Sequence, residues 1–167
     1  MLAKLTPFLF LLVFPALASG ATMRVSAEVV NNCVVSVPSS VILPAYSGTQ
    51  VRSRVEFQLR CTKGAMPIVS IGGGVLTSSA GARVLIGPDG GQLAYQIYSN
   101  PAYNFVWDAV TEPPADGLSL TSYTLYWAMP SGQAMAPGTY ANSLDFAVDP
   151  GTRTAKHYAI RVSSLVP

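Results

Sequence analysis

The sequence predicts an all-β chain folded as an antiparallel β-sandwich, on three observations. Apolar and polar residues alternate with period two in several separate runs, the pattern of a strand buried on one face. Between the runs lie clusters of Gly, Pro, Asn and Asp, which supply turn geometry. No stretch of useful length carries the 3.6-residue period of an amphipathic helix.

At 167 residues the chain suits one domain. Half of its residues are hydrophobic and 11% are charged, which excludes a disordered polyelectrolyte. The formal charge is +2, falling to +1 without Lys4. A protein that tracks phosphates would carry a clustered basic stripe instead, so nucleic acid is not an expected partner.

The elements follow in chain order. Lys4 precedes the apolar run Leu5–Phe14, and small residues gather at Ala16, Ala18, Ser19, Gly20 and Ala21. Residues 1–20 thus read as a secretory signal, cleaved after Ala18 or Gly20, with 21–167 as a single exported domain. From Met23 the apolar positions are Met23, Val25, Ala27, Val29, Cys33, Val35 and Val37. A second run places Val51, Val55, Phe57, Leu59 and Cys61 opposite Arg52, Arg54, Glu56, Gln58 and Arg60. Pro67–Ile71 is a short strand closed by three glycines, and Ala82–Ile86 and Gln92–Tyr98 flank the hairpin turn Gly87-Pro88-Asp89-Gly90-Gly91. Tyr123–Met129 is strand-like and aromatic. Tyr140, Leu144, Phe146 and Val148 form another apolar face, and Tyr158, Ile160 and Val162 a last one. Seven or eight short strands result, with no repeat and no linker.

Cys33 and Cys61 both fall on the apolar faces of their strands, 28 positions apart. In an exported domain such a pair is expected to form a structural disulfide. The chain-entropy model gives a loop of this length about 3.5 kcal/mol.

Catalytic constellations are sparse. His157 is the single histidine and sits on the polar face of the last strand, so no metal site is expected. Asp108, Glu112 and Asp116 fall in a Pro-rich loop and read as solvated acids, since a glycosidase dyad needs fixed spacing on rigid elements. No GxSxG elbow occurs, and Gly72-Gly73-Gly74 lacks phosphate-loop spacing. The expectation is a protein without enzymatic activity, cofactor or small-molecule substrate. The aromatics between 95 and 127 read chiefly as core and rim, with Tyr98, Tyr103 and Trp107 the candidates for a sugar-binding surface.

Several segments together resemble a known family. Val25-x-Ala27-x-Val29 leads to Cys33-Val34-Val35-Ser36. Leu59-Arg60-Cys61-Thr62-Lys63-Gly64, Arg83, Leu93-Ala94-Tyr95-Gln96-Ile97-Tyr98-Ser99 and Trp107 come next. Tyr126, Gly132-Gln133 and Pro137-Gly138-Thr139-Tyr140 close the pattern. In order and spacing these are similar to the spore coat protein U-like family, which includes subunits of archaic, Csu-type chaperone–usher pili. The resemblance runs from about 23 to 148. Departures are Pro44-Ala45-Tyr46 in place of Phe-Gly-x-Tyr, Trp127 in place of Gly, Asn142 in place of Asp, and a chain that continues past Val148.

The resemblance implies an immunoglobulin-like, pilin-type sandwich lacking its last strand, and a role as a structural subunit of a surface pilus or fimbria. It implies as partners a periplasmic pilus chaperone, an outer-membrane usher and neighbouring pilin subunits, with passage through the periplasm to the cell surface. It also implies donor-strand exchange, in which one subunit's N-terminal strand fills the next one's groove. The alternation from 23 to 37 exceeds the five or six residues of an ordinary strand. Met23–Val30 is therefore expected to be the donor, with Met23, Val25, Ala27 and Val29 entering a neighbour. For the tail, two arrangements stand open. Tyr158, Ile160 and Val162 either fold back after Asp149-Pro150-Gly151-Thr152 to fill the domain's own groove, or lie on an outer edge and leave it open. The alternative function is a free-standing secreted module, or a pilus tip, that binds carbohydrate or a surface.

Overall fold

The computed structural model describes residues 23–76, 82–111, 113–152 and 154–167. Residues 1–20, expected to be a secretory signal, and Glu112 of the acidic loop lie outside the described residues. Among the described residues there are eleven strands: β1 (Cys33–Ser36), β2 (Ser40–Ile42), β3 (Val51–Cys61), β4 (Ile68–Gly73), β5 (Val75–Leu76), β6 (Arg83–Ile86), β7 (Gln92–Tyr98), β8 (Val110–Thr111), β9 (Thr121–Met129), β10 (Gly138–Asp149) and β11 (Lys156–Val166). The number exceeds the expected seven or eight because β2, β5 and β8 have two or three residues. Alternation cannot show in so short a run.

The strands form one curled sheet in the order β1-β3-β9-β7-β6-β10-β11-β2. Its two halves face each other: Phe57 of β3 and Phe146 of β10 meet edge to face at 4.4 Å. The β6–β7 hairpin joins the halves, with Gly87 N–H donating to the Gly91 carbonyl at 2.8 Å across its turn. One pairing is parallel rather than antiparallel, that of β2 with β11. Pro38, which has no N–H to give a ladder, stands between this pairing and the β1–β3 ladder. Before it, β1 pairs with β3; after it, Ser39 and β2 join the opposite half.

On one edge, β10 changes partner along its length. Ala141 pairs with Ile86 of β6, and from Leu144 onward the partner is β4. Polar side chains bridge this switch. Arg83 donates from Nη1 to the Gly73 carbonyl and from Nη2 to the Ile71 carbonyl, at 2.6 and 2.7 Å. Asn142 Nδ2 donates to the Val84 carbonyl at 2.7 Å. Backbone carbonyls that the broken ladder would leave unpaired thus keep donors.

The disulfide is formed. Cys33 and Cys61 are directly opposed in the β1–β3 ladder, with Cα atoms 4.0 Å apart and both side chains buried. Thr62 N–H donates to the Asn32 carbonyl beside them. That makes the cysteines a non-hydrogen-bonded pair, the closer of the two antiparallel spacings.

The core is aromatic at its centre. Phe57 stacks on Tyr123 at 4.8 Å, and Tyr95 on Trp127 at 5.6 Å. Among the described residues the buried Tyr95 hydroxyl has no hydrogen-bond partner. Burial, opposed weakly by the Arg83 charge, pushes its pKa up from 10 to about 12. An unfolded chain ionises this phenol first, so the stability linked to it is whole below pH 10. It is lost as the pH rises through 12. Tyr95→Phe is expected to be at least as stable as the parent at pH 7, since it removes an unpaired buried hydroxyl. Its denaturation midpoint should also fall less between pH 10 and 12, which chemical unfolding at the two pH values would measure.

Candidate functional site

Between β10 and the β2 segment the structure places β11. All eleven residues of β11 oppose β10, from Gly138↔Val166 to Val148↔Lys156. On its other edge Arg161 N–H donates to Ser39, Leu43 N–H to Ser163 and Tyr46 N–H to Leu165, at 2.8–2.9 Å. Tyr158, Ile160, Val162, Ser164 and Val166 face inward, and the last four are buried. Ser164 is the polar member, and its hydroxyl donates to the Pro44 carbonyl at 2.9 Å. Of the two arrangements open to the tail, the first is found: it fills the domain's own groove.

The hairpin that returns β11 is locally encoded. Asp149 Oδ1 accepts from Gly151 N–H and Thr152 N–H, and Gly151 has φ 88°, left-handed backbone that suits glycine. Tyr46 closes the far end. Its hydroxyl donates to the Pro130 carbonyl at 2.9 Å and accepts from Gln133 N–H at 3.0 Å. Gln133 in turn clasps β7, accepting from Ala94 N–H and donating to the Ala94 carbonyl.

Met23–Val30 takes the opposite form. It belongs to no strand, and Met23, Val25 and Val29 are 87%, 83% and 84% exposed; Ala27 is exposed too. The arm leaves the body beside the start of β11. There Lys156 Nζ donates to Asn32 Oδ1 at 2.5 Å and to the Cys33 carbonyl at 3.1 Å.

The aromatic candidates separate. Tyr98 and Tyr103 meet at 5.6 Å, Tyr103 meets Tyr126 at 5.8 Å, and the Arg52 guanidinium lies 4.5 Å over the Tyr103 ring. Asn100 shapes this loop by accepting from Asn104 N–H and Phe105 N–H, and Tyr103 adopts φ 57°. Trp107 does not join them. Its backbone N–H donates to the Ile97 carbonyl, and its ring turns inward to meet Phe57 edge-on at 6.4 Å. In the sequence Arg52 stood on the polar face of one run and Tyr126 in the aromatic stretch of another; register brings them to one patch.

The titratable groups serve local ends. Ser119, through its hydroxyl and then its N–H, together with Leu118 N–H, holds the exposed Asp116 carboxyl down at about 2. Asp108 accepts from Ala109 N–H. His157 Nδ1 lies 2.7 Å from Asp145 Oδ2 at the surface, an exposed pair of the kind worth little to stability. Among the described residues no three His, Cys, Asp or Glu side chains gather at metal-ligand distance.

A family model described as the Spore Coat Protein U domain matches residues 19–147. The chain belongs to that family. The match stops short of β11, so the strand that fills the groove of this Spore Coat Protein U domain lies wholly beyond the matched range. Comparison with curated proteins returns no match. Among solved structures, the CupB6 tip adhesin from Pseudomonas aeruginosa superposes with a TM-score of 0.51 at 13% identity, over 80% of this chain and 41% of that one. A family 123 glycoside hydrolase from Clostridium perfringens gives 0.51 at 10% identity, over 81% of this chain and 27% of that one. The CsuC–CsuE chaperone–tip subunit complex from the archaic Csu pili of Acinetobacter baumannii gives 0.47 at 16%, over 81% of this chain and 60% of that one. The Spore Coat Protein U domain therefore spans about a quarter of the hydrolase chain and two fifths of the adhesin. A sandwich shared by an adhesin and a hydrolase speaks to fold and not to activity.

Proposed function

We propose that this chain is a non-enzymatic structural subunit of a surface fibre, joined to its neighbour by strand addition. Residues 1–20 direct export and 21–167 form the mature unit, which joins a fibre whose open-grooved subunits are escorted by a periplasmic chaperone and an outer-membrane usher. One observation carries the reading: an exposed, unpaired arm of alternating apolar residues, Met23–Val30, stands in front of a pilin-like sandwich of the Spore Coat Protein U family. Such an arm gains main-chain hydrogen bonds by completing a neighbouring sheet, and alternate side chains gain pockets. Burying the two valines alone is worth about 1.5–3 kcal/mol each.

The test is Val25→Asp with Val29→Asp. The arm is solvent-exposed, so the double variant is expected to fold with the parent's melting temperature. In a neighbour's groove its carboxylates would be desolvated at a cost of several kcal/mol, so the variant should be absent from purified fibres. Undiminished incorporation overturns the reading.

A second reading, a secreted carbohydrate- or surface-binding module, is favoured by the patch of Tyr98, Tyr103, Tyr126 and Arg52 on one outer face. Glycan binding by the isolated chain, in cells that assemble no fibre containing it, would select this reading.

A further inference from the structure

We infer that this chain gives a strand and takes none, so that it closes one end of the fibre against further growth. The inference rests on the donor-strand reading above and goes beyond it, because it concerns the acceptor side. An incoming strand needs an open edge on β10 and an open edge on the β2 segment. Both edges are already used by β11, the first along eleven register pairs and the second by three backbone hydrogen bonds and the Ser164–Pro44 bond. Ile160, Val162 and Val166 fill the space that alternate side chains of an incoming strand would need. Releasing β11 would strip both edges and open the core at once, so exchange cannot proceed without unfolding the sandwich.

The arm has no such occupation. Its root is held at Asn32 by Lys156, at the very start of the strand that fills the groove. It cannot serve its own domain, since that site is taken, nor a second copy, whose groove is filled in the same way. Its recipient is therefore an open Spore Coat Protein U domain, with an apolar groove between the counterparts of β2 and β10 and no strand equivalent to β11. The position of β11 beyond the family match agrees with such a difference between members. A subunit with this polarity stands where a groove would otherwise be left open.

Locking β11 in place tests the inference. The N–H of Arg161 and the carbonyls of Ser163 and Leu165 point toward the 39–46 segment. Ser143 and Arg161, both exposed, are therefore a non-hydrogen-bonded pair, the spacing that accepts a cross-strand disulfide. In cells deleted for the chain's own gene, Ser143→Cys with Arg161→Cys is expected to enter fibres at the parent's level, and gold-labelled antibody should mark one fibre end. Loss of the locked chain from fibres, or parent label repeated along their length, overturns the inference. Incorporation of the Val25→Asp, Val29→Asp variant instead overturns the donor reading, whatever the locked chain does. A second measurement uses the purified full chain and a fluorescent synthetic peptide of residues 23–31. No uptake is expected, and uptake with loss of hydrogen-exchange protection across 156–166 is the contrary result.

Discussion

Val162→Asp is expected to leave the chain unfolded or aggregated at ordinary temperature. Val162 is fully buried, with Asn142 of β10 opposite it on one side and Val41 of β2 on the other. A carboxylate there loses its water with no cation on the facing register positions. The cost is several kcal/mol whether the group stays charged or takes up a proton. Domains hold only about 5–15 kcal/mol in all. The control is Leu165→Asp on the same strand, whose side chain is 53% exposed on the outer face. That change should stay within about 0.5 kcal/mol of the parent, as surface substitutions usually do. Chemical unfolding followed by circular dichroism separates the two. Equal stability of both variants would mean that β11 is not a core strand, and the closed groove would go with it.

Gly87→Ala is expected to cost nearly as much, through a contact with no charge in it. A Cβ at Gly87 would lie 2.3–2.5 Å from three ring carbons of Tyr140. Backbone strain has no part, since Gly87 has φ −113° and ψ −162°, ordinary extended geometry. The ring cannot step aside cheaply: Tyr140 is fully buried and its hydroxyl donates to the Ala136 carbonyl at 3.0 Å. Overpacking costs about 1–3 kcal/mol. Expulsion of the ring would approach the about 3–5 kcal/mol of deleting a core aromatic. Tyr140→Ala removes the obstacle, so the double variant should be no less stable than Tyr140→Ala alone. That non-additivity, measured by a double-mutant cycle, identifies the clash as the cause.

Much of this molecule was legible in local pattern. Alternation places Val55, Phe57, Leu59 and Cys61 on one face and the arginines on the other whatever strand they pair with, because the side-chain period of a strand is a local property. It also put both cysteines on apolar faces, and the Asp149–Thr152 turn announced a return of the chain. Other features were not legible. The three residues of β2 are too few to show a period, and their parallel pairing with β11 depends on a chain that crosses between halves at Pro38. Trp107 and Tyr103 stand four positions apart in one aromatic stretch, yet one turns into the core and the other onto Arg52. Only the register of β3, β7 and β9 separates them.

The chain's own amino acids determined the longer strands, their apolar faces, the disulfide partners and the alternating character of Met23–Val30. Tertiary structure alone decided that Tyr158–Val166 lies in the groove rather than on an outer edge, and that Gly87 must be bare beneath Tyr140. The physical reason is one of range. Periodicity records which side of a strand shuns water, and each residue carries that information by itself. Which edge the strand then joins depends on backbone donors and acceptors tens of residues away. Every strand presents the same such groups, so only the assembled sheet distinguishes one open edge from another.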